Sequence, residues 1–215
     1  MISKSRDAES FSSYYKKEKV VKSYDDQREA NEYRRKKRQR ELRYFLELID
    51  KKEGEKVLEL GCSSGFLTQQ LGKVTAIDTC EGMLDVASKK NPEAKCIPGD
   101  MFNLNFEKNQ FDKVVTMRVW NHLNKTDLRR AINEAKKVLK KGGYLIFDVE
   151  EKNILRKIAA WVYQTVTRIT GYKIYQHSLK ETKQILAEEG FKIEDLRYLN
   201  HRIGRQIIIR SRLVA

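Results

Sequence analysis

Apolar residues along the chain alternate between two patterns, short continuous runs and longer stripes at helical spacing. Val57, Leu58 and Leu60, broken only by Glu59, form a run too short for a helix and bounded by glycine. That is the signature of a strand covered on both faces in a parallel sheet. Further strands are predicted over 73–78, 94–97, 111–117 and 144–149. Between them, Leu42, Phe45, Leu46 and Ile49 recur at i, i+3, i+4 and i+7 and give one apolar face to a helix over 27–50. Leu128, Ala131, Ile132, Ala135 and Val138 do the same for a second helix, which Gly142 and Gly143 are expected to end as a left-handed cap. Ser178 followed by Glu181 reads as a capping box opening another helix. Residues 191–198 and 205–210 then alternate as a hairpin. Strand alternating with helix predicts an α/β fold with a doubly wound sheet.

The chemistry concentrates where the first strand meets Gly61 and Gly65. In a doubly wound sheet a ligand lies at the carboxyl end of such a strand, and glycine there lets main chain and ligand approach closely. A dinucleotide loop needs a second glycine where this chain has Ser63. Glu59, just ahead of the loop, suits a cationic ligand better than a pyrophosphate. An ordinary strand–turn–helix connection is the alternative reading of the glycine pair alone.

Residues Leu58 to Gly65 (LELGCSSG) closely resemble motif I of class I S-adenosylmethionine (SAM)-dependent methyltransferases. The order of later motifs extends the resemblance over roughly residues 40–213, and the pattern is nearest to small-molecule methyltransferases of ubiquinone and menaquinone synthesis. It implies a seven-stranded, mostly parallel Rossmann-like sheet with an antiparallel last strand and helices on both faces. The cofactor would be SAM, leaving as S-adenosylhomocysteine (SAH). Its binding residues would be Glu59, Gly61, Cys62 and Gly65 at the loop and Asp78 on the ribose hydroxyls. Met83 and Met101 would lie against the adenine, Asp100 would take its amine, and Met117 would meet the methionine part. Asp78 should therefore face the glycine bend across a cavity. His122 matches a family histidine and is the candidate general base, histidine being the side chain that exchanges protons nearest neutrality; a structural hydrogen bond is the other reading. Arg118 stands where the family often has an acid. Tyr24, Arg118, Tyr172, Tyr175 and His177 are candidate acceptor contacts. The amide-clamp motif of base and glutamine methyltransferases is missing after strand four, which argues against those activities.

Composition adds partners rather than changing the fold. At 215 residues one domain is expected, with residues 1–50 as an N-terminal lid segment and helix, and 51–215 as the SAM-binding domain carrying an amphipathic insertion at 152–177. The net charge of +14, with six basic residues in seven over 34–40, favours polyanions. RNA is thus the alternative acceptor to a small molecule, and a non-catalytic RNA-binding protein of SAM-enzyme fold is the alternative class. The basic run also reads as a solvated helix face pairing with Glu29, Glu32 and Glu41. The insertion reads as a packed helix, a pocket lid, a homo-oligomer contact or a peripheral membrane contact. Three cysteines without metal-ligand spacing, no metal motif, no secretory leader and no apolar run near the ~20 residues of a membrane span make a cytoplasmic protein the expectation.

Overall fold

The computed structural model describes residues 13–152, 175–200 and 204–214. Its centre is a sheet in the order β3-β2-β1-β4-β5-β8-β7, with β1 Val57–Leu60, β2 Thr75–Asp78, β3 Lys95–Pro98, β4 Phe111–Val115, β5 Leu139–Glu151, β7 Phe191–Asn200 and β8 Arg205–Leu213. Strands β1 to β5 are parallel, whereas β8 runs antiparallel to both β5 and β7. An eighth strand, the two-residue β6 Gln176–His177, pairs with the end of β5 and has no counterpart in the sequence expectation. It lies at the end of the 152–177 insertion; residues 153–174 of that insertion fall outside the described residues.

Period-two alternation sorts the strand residues between two cores. Leu58, Val114, Leu145, Phe147, Ile207 and Ile209 pack with α5 Lys125–Val138 and α6 Leu179–Glu188. Val57, Val115, Ile146 and Ile208 face α2 Glu32–Ile49, which buries Leu42, Phe45, Leu48 and Ile49 against them. Short α3 Thr68–Leu71 follows the glycine loop, and α4 Glu81–Lys90 follows β2.

Two boundaries differ from the sequence reading. The helix expected over 27–50 is two helices, α1 Glu18–Arg28 and α2, because the Asn31 side chain accepts from the Arg34 N–H at 2.9 Å and starts α2 afresh. The expected glycine C-cap is also absent. Helix α5 ends at Val138, the chain turns extended at Leu139, and Gly142 (φ 75°) sits in an irregularity inside β5, between the Phe111–Leu139 and Lys113–Tyr144 pairings. The capping box at Ser178 and Glu181 is present in both directions.

Candidate active site

The bend after β1 is tied to the neighbouring strand: Gly61 and Cys62 N–H both donate to the Ile77 carbonyl, at 2.8 and 3.0 Å. Gly61, Ser63 and Gly65 adopt φ of 71°, 52° and 80°. A Cβ on Gly61 would lie 2.7 Å from Val119 Cγ2, and one on Gly65 would lie 2.3 Å from Asn91 Nδ2. The glycines are thus required by backbone angle, as the sequence suggests, and also by the chain's own packing. Asp78, closing β2, turns toward the bend: Oδ2 accepts from Ser63 N–H and Oδ1 from Cys80 N–H, each at 2.9 Å.

Above this bend lies a cavity of about 530 Å³. Its floor includes Glu59, Gly61, Cys62, Asp78 and Met83, one wall carries Gly99, Met101 and Phe102, and the far end carries Met117 and Arg118. The N-terminal segment covers it with Tyr14, Tyr15, Tyr24, Arg28 and Arg34. That volume is ordinary for a small-molecule site.

Several expected site residues stand outside this wall. Gly65 lies beneath the loop. Asp100 accepts from Phe102 N–H at 3.0 Å, holding the turn whose neighbours form the wall. His122 is buried in a 3-10 turn, Trp120–His122, and is not among the lining residues. Tyr175 donates its backbone N–H to the Asn121 carbonyl at 2.7 Å, and His177, buried, donates Nε2–H to the Leu123 carbonyl at 2.9 Å. Burial lowers the pKa of His177, so the ring stays neutral and structural. Tyr172 lies outside the described residues.

Two features of the site were not read from the sequence. Asp25 of α1 accepts from Ser64 Oγ at 2.9 Å, from Arg38 Nη2 at 3.1 Å and from Lys90 Nζ, so one carboxylate joins α1, the glycine loop, α2 and α4. Burial pushes its pKa up, but those three donors outweigh burial and hold it below the usual carboxylate range. The second feature lies beneath Arg118. This residue sits at φ 61°, its N–H donates to Asp148 Oδ1 at 2.6 Å, and its Nη1 donates to Glu41 Oε2 at 3.2 Å. Gln206 Nε2 donates to both acids, at 2.5 Å to Glu41 and 2.7 Å to Asp148. Arg38 and Glu41 lie on the same helical stripe as Leu42 and Phe45, the one sequence signal that both would be buried.

The methyltransferase domain family matches residues 58–147. Uncharacterized protein MJ1252 of Methanocaldococcus jannaschii is 30% identical over 204 residues, covering 84% of this chain and 80% of that protein. The chain belongs to the class I SAM-dependent methyltransferases. Demethylmenaquinone methyltransferase of Thermotoga maritima is 32% identical over 141 residues, and the match spans 63% of this methyltransferase but 56% of that one. Among solved structures, magnesium protoporphyrin IX methyltransferase of Synechocystis with bound SAH superposes with a TM-score of 0.77 at 18% identity, over 94% of this chain and 97% of that one.

The residues of this methyltransferase fit the family's cofactor on electrostatic grounds. Glu59 is fully buried and is hydrogen-bonded by the Thr68 hydroxyl at 2.7 Å. Burial, with a smaller push from Asp78, raises its pKa to about 8. Burial raises Asp78 as well, against the N–H groups of Cys80 and Ser63. With Glu59 buried and Asp78 half-buried, and no ion pair to either among the described residues, the floor is short of positive charge even with Lys16 drawing Asp78 down. An ammonium and a sulfonium supply it. Among the described residues no cluster could hold a metal ion, and no helix is long and apolar enough to cross a membrane.

Proposed function

We propose that this methyltransferase modifies a small-molecule acceptor enclosed between the strand ends and the N-terminal cover. One observation carries the reading: a single cavity is lined by Asp78, Met83, Met101, Met117 and Arg118 together with four tyrosines of the N-terminal segment, Tyr14, Tyr15, Tyr24 and Tyr33. Tyr14, Tyr15 and Tyr24 offer a small acceptor an aromatic wall beside the strand ends.

Residues take roles accordingly. Asp78 binds the ribose hydroxyls while its backbone bonds to Ser63 and Cys80 keep it oriented. Met83 and the Asp100–Met101 turn take the adenine. Glu59, with Gly61 and Cys62, faces the cationic methionine end, and Met117 lines the approach to it. SAM, when bound, supplies a methyl group on a good leaving sulfur. The chain contributes alignment of the acceptor and exclusion of water by the tyrosine cover, the two effects that matter most in a displacement needing little acid–base help. His122, behind the wall, holds the 3-10 turn that carries Val119 and Leu123 into the cavity. Residues 1–50 act as cover and brace, and 51–215 as the binding domain.

The test is transfer of tritiated methyl from SAM into a cell extract separated into small molecules, RNA and protein. Label in the small-molecule fraction is expected. Label confined to RNA or to protein overturns the acceptor class. The demethylmenaquinone enzyme of Thermotoga maritima and the magnesium protoporphyrin IX enzyme of Synechocystis, whose names state small acceptors, point the same way.

A further inference from the structure

The cavity wall separates charge. Its two acids, Glu59 and Asp78, come from β1 and β2, whereas its cations, Lys37 and the guanidiniums of Arg28, Arg34, Arg38 and Arg118, come from the two N-terminal helices and the segment after β4. Those guanidiniums are of two kinds. Arg38 is buried, paired with Asp25 and Glu29 at 3.1 and 2.8 Å and stacked on Phe66 with its centre 3.6 Å from the ring. Arg118 is paired with buried Glu41. Both are consumed by the fold.

Arg28 and Arg34 are different. Among the described residues neither forms an ion pair, although fifteen other arginines and lysines do. Arg28 stands over the Tyr24 ring, 4.8 Å from its centroid, and Arg34 donates Nη1–H to the Gln27 carbonyl at 2.6 Å. That bond ties the end of α1 to the start of α2, so the two guanidiniums are held on adjacent helix ends beside the tyrosines. A guanidinium fixed by a ring or a carbonyl, with no carboxylate of its own, is preorganised for an anion. The adjoining Tyr14, Tyr15 and Tyr24 offer flat apolar faces.

We propose that the acceptor is an amphipathic organic anion: its charged group is gripped by Arg28 and Arg34 at the mouth, and its ring or chain lies against the tyrosine cover. This deepens the reading of the cavity as the methyl-transfer site and rests on it. The acceptor then enters tail-inward past the cations, and neutral analogues of the same shape are excluded by affinity rather than by size.

The test uses the full chain saturated with SAH and two fluorescent probes of one skeleton, anionic 1-anilinonaphthalene-8-sulfonate and neutral N-phenyl-1-naphthylamine. The sulfonate should bind about tenfold tighter than the neutral probe. The double variant Arg28→Gln with Arg34→Gln should erase that preference, leaving neutral-probe and SAH affinities within about twofold of the parent. Arg35→Gln, on the same helix but not in the wall, should change nothing. Equal binding of the two probes overturns the proposal, as does a preference that survives the double variant. So does a short single-stranded RNA that binds tightly to the parent and not to the double variant, since the cations would then serve a polyanion. Failure of SAH to bind folded parent protein instead removes the methyl-transfer reading, so the two failures are distinguishable.

Discussion

The molecule withdraws two pairs of acids from solvent and treats them differently. Glu41 and Asp148 share the Gln206 amide and are given Arg118. Burial pushes the Glu41 pKa up, but Arg118, Gln206 and Lys37 outweigh it and hold the group ionised below its usual range. Asp148 is pushed up to about 7 by burial and by the charge of Glu41 beside it. Among the described residues no ion pair reaches Glu59 or Asp78; the charge of Lys16 draws Asp78 down, but burial outweighs it and both rise. A buried acid completed from within is architecture: removing either partner strands the other. A buried acid left without a cation is a candidate site, because it holds its proton until a cationic ligand replaces it.

The comparison can be broken hardest at Asp78. Asp78→Ala removes the proposed sugar contacts together with the brace on Ser63, and SAM affinity should fall about a thousandfold, roughly 4 kcal/mol, by isothermal titration. A loss under tenfold would place the cofactor elsewhere. Glu41→Ala should act on stability instead. Leaving Arg118 and Asp148 without their partner should cost about 3 kcal/mol in urea unfolding, toward the low end for a broken buried pair because the Arg118 side chain is 31% exposed. SAM affinity per folded molecule should hold, and if it fell with stability the two acid pairs would not be separable.

Acidity sharpens the contrast. The folded pKa of Glu59, about 8, lies above its ordinary value of 4.5. Its contribution to stability is therefore fully present below about pH 4.5 and is lost as pH rises through 8. Asp148, raised from 3.8 to about 7, runs the same way but finishes earlier. Between pH 7 and 9 the ligand-free protein should lose about 1 kcal/mol that Glu59→Gln does not lose. Titration at pH 7 in buffers of different ionisation heat should also show SAM binding releasing a proton from the parent and not from the variant. The smallest effect is expected at Arg35→Glu, an exposed change in the basic run, which should move stability by less than about 0.5 kcal/mol.

What was legible in the sequence was local. The glycine bend, the acid closing β2 and the succession of strands and helices follow from short-range pattern, since each strand–helix unit announces itself within some twenty residues. The Glu41–Gln206 bond spans 165 positions, and no periodicity connects residues so distant. The basic run over 34–40 reads in the sequence either as a polyanion patch or as a face pairing with Glu29, Glu32 and Glu41, and the Lys36–Glu32 and Arg38–Glu29 pairs form. Folding splits it, sending Arg38 inward to Asp25 and Glu29 while Arg34 and Arg35 stay exposed. Burial of single charges inside a charged run depends on what the next helix presents, and α1 presents those two carboxylates.

Asp25 carries a last consequence. Because this carboxylate fastens the first helix to the loop, to α2 and to α4 at once, the doorway is latched by charge rather than by grease. A latch of that kind is loosened by dissolved salt, which screens half-exposed ions while leaving apolar seams intact. Raising the ionic strength is therefore expected to loosen the hold of α1 on the loop, α2 and α4, which faster amide exchange in α1 at high salt would register.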